Sequence, residues 1–308
     1  MIYTVTLNPC IDYHVRVDAL QAGRVNRVQE ESIRVGGNGI NVSYVLNTLK
    51  AENKALSIVA GFTGEEICRL LVRDGIEHEY IRLDKGDSRI NVQIRNGTDS
   101  SINGLGPSVT EDDIQRVIHL LDQVQDGDTI VLAGAVPVGA RDTVYADILS
   151  ALQDRDLRIV VDAKRPLLLN TLKYRPFLIK PNRQELADIF YLESNHADDL
   201  IRQAKTLQNM GARNVLISMG DRGSLLVTES GQVLRRSAMK GKARNTVGCG
   251  DSMVAGFLTG YDRSGGDLVD AFRMAIAAGS ANAFSEGRGT YEEIMKLHRI
   301  LLKERDWV

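Results

Sequence analysis

The residues best suited to chemistry stand in Asn245-Thr246-Val247-Gly248-Cys249-Gly250-Asp251-Ser252, which leads into the apolar run Met253 to Leu258. That run predicts a buried helix, so the segment is a glycine turn feeding a helix start. Glycines accept backbone angles that aim successive N–H groups into one concavity, and the unpaired N–H groups of a first helical turn add positive potential there. The backbone of Gly248, Cys249 and Gly250 is therefore expected to stabilise charge on a transferring phosphoryl group. A carboxylate at Asp251, beside such an anion hole, can take the proton of an attacking hydroxyl as a general base. The same helix-terminus physics also suits an aspartate that only caps the helix, and the local sequence leaves both roles open.

A second glycine turn, Gly36-Gly37-Asn38-Gly39-Ile40-Asn41, precedes Val42 to Lys50, where Val42, Val45, Leu46 and Leu49 recur at helical spacing. Gly36, Gly37 and Gly39 let the backbone approach a polar ligand, and Asn41 offers both a donor and an acceptor to sugar hydroxyls. The spacing is not GxGxxG and the turn does not directly follow the first strand, which disfavours a dinucleotide site and an NAD-dependent oxidoreductase.

The elements that must position these turns alternate. Apolar, β-rich runs at Thr129 to Ala133, Arg158 to Asp162, Phe177 to Lys180 and Asn214 to Ser218 are separated by helical stretches, which predicts an α/β fold with a mostly parallel sheet covered on both faces. Ile2 to Leu7 and Ala55 to Gly61 join that sheet, and Ser224 to Thr228 with Gln232 to Arg236 form an edge hairpin. Ile11 to Val17 and Arg89 to Arg95 alternate at period two instead. With Val28 to Val35 and Ser100 to Asn103 they predict a small antiparallel sheet, a lid built from insertions at about 11–18, 28–35 and 89–104 of a single domain spanning 1–308. No repeat or low-complexity linker divides the chain.

The 308 residues carry a formal charge of −2 and no basic block, so the electrostatic footprint of a nucleic-acid or membrane-surface binder is missing. A small anion would be held by local geometry. Cys10, Cys68 and Cys249 lack metal-ligand spacing, and the opening MIYTVTLNPC is unlike a signal peptide, which points to a reducing cytoplasm. No apolar run approaches the roughly twenty residues that span a bilayer.

With GGNGIN and NTVGCGDSMVAGFL at the places of its two signatures, and TLNPCID, SRIN, NGLGP, IKPNRQEL and SMGDRGSL in order around them, the sequence resembles the PfkB carbohydrate kinases of the ribokinase superfamily. The resemblance implies a ribokinase-like three-layer α/β/α sandwich and transfer of the ATP γ-phosphate to a small phosphorylated sugar. Fructose 1-phosphate is the first acceptor expected and tagatose 6-phosphate the second. A non-catalytic sugar-phosphate sensor is the reading from another class.

Carried over residue by residue, the resemblance implies that Asp12, Gly37 and Asn41 hold sugar hydroxyls while Arg89, Asn103 and Arg24 meet the acceptor's phosphate. A guanidinium can grip a phosphate through two parallel hydrogen bonds, which fits Arg89. Ser218 to Gly223, including Gly220, and Gly248 to Asp251 would line the ATP phosphates, and the helix around Ala278 and Asn282 would flank adenine. Lys180, Asn182 and Glu185 match a KPNxxE stretch in which Asn and Glu organise Mg²⁺ largely through water, as suits an ion that dehydrates reluctantly. A homodimer through the lid is expected, since an exposed strand edge or apolar face seeks a partner.

The sequence departs from the family pattern at four positions. Asn38 stands where the sugar-phosphate branch commonly carries lysine, Ala135 where serine is often seen, and Asn245 and Cys249 where aspartate and alanine are more usual in the family. A thiol beside an anion hole can have a lowered pKa and become oxidisable, but a small buried residue is the usual reason for Cys in such a place.

Overall fold

The chain winds outward in two directions from one interior strand, β1 (Ile2–Thr6). The computed structural model describes residues 1–96, 99–193 and 196–304. Its further strands, in chain order, are β2 (Cys10–Arg16), β3 (Glu30–Gly36), β4 (Asn53–Ala60), β5 (His78–Leu83), β6 (Arg89–Arg95), β7 (Asp99–Asn103), β8 (Thr129–Ala133), β9 (Arg158–Asp162), β10 (Leu178–Ile179), β11 (Asn214–Ser218), β12 (Ser224–Val227) and β13 (Val233–Arg236). The helices are α1 (Asn38–Thr48), α2 (Gly61–Arg73), α3 (Glu111–Leu120), α4 (Val144–Ala151), α5 (Arg165–Thr171), α6 (Arg183–Phe190), α7 (Ala197–Asn209), α8 (Cys249–Arg263), α9 (Leu268–Phe284) and α10 (Tyr291–Lys303).

The large sheet runs β13-β12-β11-β10-β9-β8-β1-β4-β5 and is parallel from β11 to β5, with β12 and β13 as an antiparallel hairpin at one edge. Helices cover both faces. In β8, Ile130 and Leu132 pack into one layer with Ile114, Leu149 and Leu207, while Val131 and Ala133 pack into the other with Val45, Phe257 and Phe272. Strands buried on both sides need continuous apolar runs, and that is why these segments read as they do. Among the described residues no helix is long and apolar enough to cross a membrane.

Two features of the sheets differ from expectation. β5, an edge strand reading HEYIRL with only Leu83 fully buried, carries too many wet residues to announce itself by hydrophobicity. The small sheet, β3-β2-β6-β7, is mixed rather than antiparallel: β2 pairs antiparallel with β3, and β6 with β7, but β2 and β6 are parallel, with Asp12 opposite Asn91. β2 and β6 are separated by β3, α1, β4, α2 and β5, so no hairpin turn forces them to run in opposite directions. Residues 97 and 98, inside the expected lid span, lie outside the described residues.

The small sheet is two-faced. In register, Asp12, Arg34 and Asn91 share one side with His14 and Gln93, whereas Tyr13, Ile33, Val92 and Ile102 form a row across the other.

Candidate active site

The cleft opens at the carboxyl ends of the parallel strands, where the strand order reverses between β1 and β8, the place at which open α/β sheets bind ligands. A cavity of about 270 Å³ is lined there by Asp12, Gly37, Asn38, Asn41, Arg89, Asn91, Asn103, Ala135, Asp162, Lys164, Glu185, Gly248 and Asp251, among others. The polar face of the small sheet supplies Asp12, Asn91 and Asn103, the end of β9 supplies Asp162, and α6 and α8 bring Glu185 and Asp251.

Asp251 sits in the first turn of α8, whose N-cap is Gly248 in the left-handed region at φ 78°. It is 5% exposed and makes no capping hydrogen bond. Instead, both carboxylate oxygens are claimed by amides from the first turn of α1: Asn38 Nδ2 donates to Oδ1 at 3.0 Å and Asn41 Nδ2 to Oδ2 at 2.9 Å. Burial, and then the nearby Asp162 carboxylate, push the Asp251 pKa up to about 7 against the opposing pull of Asn41, Lys180 and Asn38. Gly250 is a close-approach position, because a Cβ there would stand 2.8 Å from Lys180 Nζ.

Lys180, just past β10, pairs with Asp162 at the end of β9 at 3.1 Å, and the two are 5% and 6% exposed. Burial pulls the lysine pKa down, but Asp162, Glu185 and Asp251 together hold it above its ordinary value. Asn182 and Glu185 form a capping box on α6: Glu185 N donates to Asn182 Oδ1 at 2.9 Å, and Asn182 N donates to Glu185 Oε2 at 2.8 Å. Burial and Asp162 raise the Glu185 pKa. Both the dipole-favoured helix acid and the cleft residue are therefore the same side chain.

On the opposite wall, Asn91 Nδ2 donates to Asp12 Oδ1 at 2.9 Å, and Cys10 Sγ lies 3.2 Å from the same oxygen. Gly36 makes room for this carboxylate, since a Cβ there would lie 2.1 Å from Asp12 Oδ2. Gly37 is the N-cap of α1, so the helix begins inside the glycine turn rather than after it. Arg89 lines the cleft and spends its Nε on Asn8 O at 3.1 Å. Arg24 is exposed in the loop between β2 and β3 and is not among the lining residues.

Ser218, at the end of β11, bridges to Asn182, and Gly220 and Gly223 bracket the 3₁₀ turn that follows. These three stand beyond Asn182, outside the lining of the main cleft. Ala278 is 1% exposed and its Cβ faces Gly256 of α8, so it lets the two helices approach closely and presents no surface to a ligand. Asn282 Nδ2 donates to Val247 O at 2.8 Å and holds the loop before α8. The Cys249 thiol has a raised pKa because of burial, as suits a small packed residue and not an activated thiolate.

Sequence reasoning missed Asp162, Lys164 and Asn91 as cleft residues. Asp162 closes an ordinary buried strand and Lys164 follows it, so only the rule that ligands gather at strand carboxyl ends could have marked them.

The chain is a phosphotransferase with an alcohol group as acceptor. The description pfkB family carbohydrate kinase matches residues 5–294, and the chain belongs to the PfkB family of carbohydrate kinases. Membership implies ATP as phosphate donor. The chain is 39% identical over 297 residues to a 1-phosphofructokinase of Bacillus subtilis (strain 168), covering 96% of this chain and 97% of that protein. It is 36% identical over 295 residues to a D-tagatose-1-phosphate kinase of Bacillus licheniformis, covering 96% of each. The crystal structure of phosphofructokinase-2 from Escherichia coli in complex with fructose-6-phosphate superposes with a TM-score of 0.90 at 26% identity, covering 98% of this chain and 99% of that one.

Proposed function

We propose that this kinase phosphorylates a ketose 1-phosphate, fructose 1-phosphate first, to give the 1,6-bisphosphate, with Asp251 as general base. The observation that carries the reading is a buried carboxylate at a helix start, held by two amides at the wall of the cleft. The acceptor hydroxyl gives its proton to Asp251 as its oxygen bonds to the γ-phosphorus. The bond from that phosphorus to the bridging oxygen breaks, and ADP leaves. Positioning and charge stabilisation carry such a transfer. First-turn N–H groups at Gly248, Cys249 and Gly250 stabilise the equatorial oxygens, each donor being worth on the order of 10² to 10³ in rate.

Asp12, Gly37 and Asn41 hold the sugar hydroxyls. Asn41 keeps one N–H and one lone pair beyond the bonds it already makes. Arg89 and Asn103 take the acceptor's own phosphate; Arg24, exposed on its loop, is not assigned to it. On the nucleotide side Ser218, Gly220 and Gly223 border the phosphates, and Asn282 keeps its place behind the anion hole.

Among the described residues no cluster of three or more His, Cys, Asp or Glu side chains could cage a metal ion. The residues present nonetheless fit Mg²⁺ held through water and nucleotide phosphate: Asp162, Glu185 and Asp251 outnumber Lys180 and Lys164, and, after burial, the Asp162 carboxylate is what raises the pKa of both Glu185 and Asp251. Asp162, Glu185 and Asn182 would hold it, and it would neutralise charge on the phosphates.

The named relatives favour keeping tagatose as the second acceptor, with its phosphate on carbon 1 rather than carbon 6. An ADP-release assay with ATP and Mg²⁺ across fructose 1-phosphate, tagatose 1-phosphate, fructose 6-phosphate and free fructose tests the reading. Turnover confined to the 1-phosphates, with Arg89→Ala raising their KM at least tenfold, is the expected result. No turnover on any of them favours the sensor. The lid's apolar row further supports a homodimer through that face.

A further inference from the structure

Arg288 lies in the loop between α9 and α10, outside every motif discussed above. Its Nη2 donates to the backbone oxygen of Val35 at 2.7 Å and to Asn41 Oδ1 at 3.1 Å. Its guanidinium carbon lies 3.6 Å from the centroid of the Tyr44 ring, and Tyr44 in turn donates its hydroxyl to Asp74 Oδ2 at 2.7 Å. The arginine is thus clamped on three sides.

A guanidinium has only donors and an ionised carboxylate only acceptors. An amide set between them satisfies both in one orientation: oxygen toward Arg288, nitrogen toward Asp251. Asn41 has that orientation, with Nδ2 2.9 Å from Asp251 Oδ2. Rotated by half a turn, it would aim its oxygen at the carboxylate and its N–H groups at the guanidinium, two repulsive contacts in place of two attractive ones.

We propose that Arg288 is a positioning residue for phosphoryl transfer, which locks the Asn41 amide so that its nitrogen faces Asp251 and ties that lock to the root of the lid at Val35. The inference rests on Asp251 being the base. Arg288 reaches Asp251 through Asn41, whose oxygen it holds while the same amide's nitrogen bonds the carboxylate. Arginine suits the place because one planar group donates in its plane while its face stacks on Tyr44.

The test compares the full chain with Arg288→Met, Arg288→Lys, Asn41→Ala and the double variant Arg288→Met/Asn41→Ala. Arg288→Met is expected to lower kcat on the order of 10- to 100-fold, as a misplaced catalytic group does, with KM for ATP unchanged. Arg288→Lys, which retains one donor, should recover part of that loss and guard against a folding failure of the methionine variant. The double variant should lose no more than the worse single one, because both changes cut the same link. An Arg288→Met kcat within twofold of the unaltered protein, or losses that multiply, overturns the proposal.

If the unaltered protein phosphorylates none of the acceptors, the kinase reading fails separately, and the lock is then read directly. With ¹⁵N-asparagine labelling, the side-chain amide signal identified by its loss in Asn41→Ala should shift and exchange faster in Arg288→Met and be largely kept in Arg288→Lys. An unchanged signal in Arg288→Met overturns the proposal by this route too.

Discussion

Asn38 Nδ2 lies 3.0 Å from Asp251 Oδ1, joining the first turn of α1 to the first turn of α8 across 213 residues of chain. The contact is made by a neutral amide, so a dipole and not a full positive charge faces this carboxylate oxygen. Burial and the Asp162 carboxylate raise the Asp251 pKa to about 7 in spite of this bond, a value that suits the general base proposed above.

The pH profile should show this. A base must be unprotonated, so kcat/KM is expected to rise with pH and level off above a pKa of about 7. Asn38→Ala removes a bond to the charged form and moves the limb to higher pH, whereas Asn38→Lys adds an attractive charge and moves it lower. Rate measurements between pH 5 and 9 (roughly the span of such a limb) check both signs. Coincident limbs in all three proteins would detach Asn38 from the base.

Asp251→Asn should abolish turnover by about 10² to 10⁴ while leaving the fold intact. Its effect on stability has a definite sign. With a folded pKa near 7 and an ordinary unfolded value of 3.8, the native state binds more protons than the unfolded state between them, so this group's contribution to stability is full below the lower value and is lost as pH rises through the upper one. The asparagine variant escapes that loss. It should match or exceed the unaltered protein in Tm at pH 8 and lose the advantage at pH 4.5, in scans checked for reversibility.

The buried Lys180–Asp162 pair predicts the opposite kind of effect. Removing one partner strands the other, so Lys180→Met should cost about 3–5 kcal/mol, and Lys180→Met/Asp162→Asn should regain a good part of it. Urea titration of the four corners of this cycle measures the coupling, and additive losses would show that the pair contributes nothing as a pair.

Much of this was legible in the sequence because local patterns and tertiary placement agree. β8, β9 and β11 are apolar runs buried on both faces, and Gly248 to Asp251 is a helix start wherever it is placed. What was hidden depends on distant partners. Nothing near Asp251 says that its carboxylate will turn from capping toward two asparagines more than 200 residues away. Nothing in IVVD says that Asp162 will meet Lys180. The parallel pairing of β2 with β6 likewise follows from the long excursion between them, which period-two alternation in either strand cannot express. β5 was lost because an edge strand needs little hydrophobic surface.

The lid yields the last prediction. Ile33, Tyr13, Val92 and Ile102 lie in one transverse row, and its two ends, Ile33 and Ile102, are 51% and 63% exposed. Edge strands β3 and β7 flank the row, so an apolar strip meets unpaired backbone at both margins, the combination that seeks a second copy. On the opposite side of the same strands, Asp12 and Asn103 line the cleft, so a dimer formed here would stiffen the wall that carries them. Ile33→Glu/Ile102→Glu places like charges on both sides of such an interface without touching the cleft face. Sedimentation at micromolar concentration should then show a dimer for the unaltered protein and a monomer for the variant, with KM for the sugar raised in the monomer. A monomer in both cases would remove the lid as an interface, and a dimer in both would move the interface elsewhere.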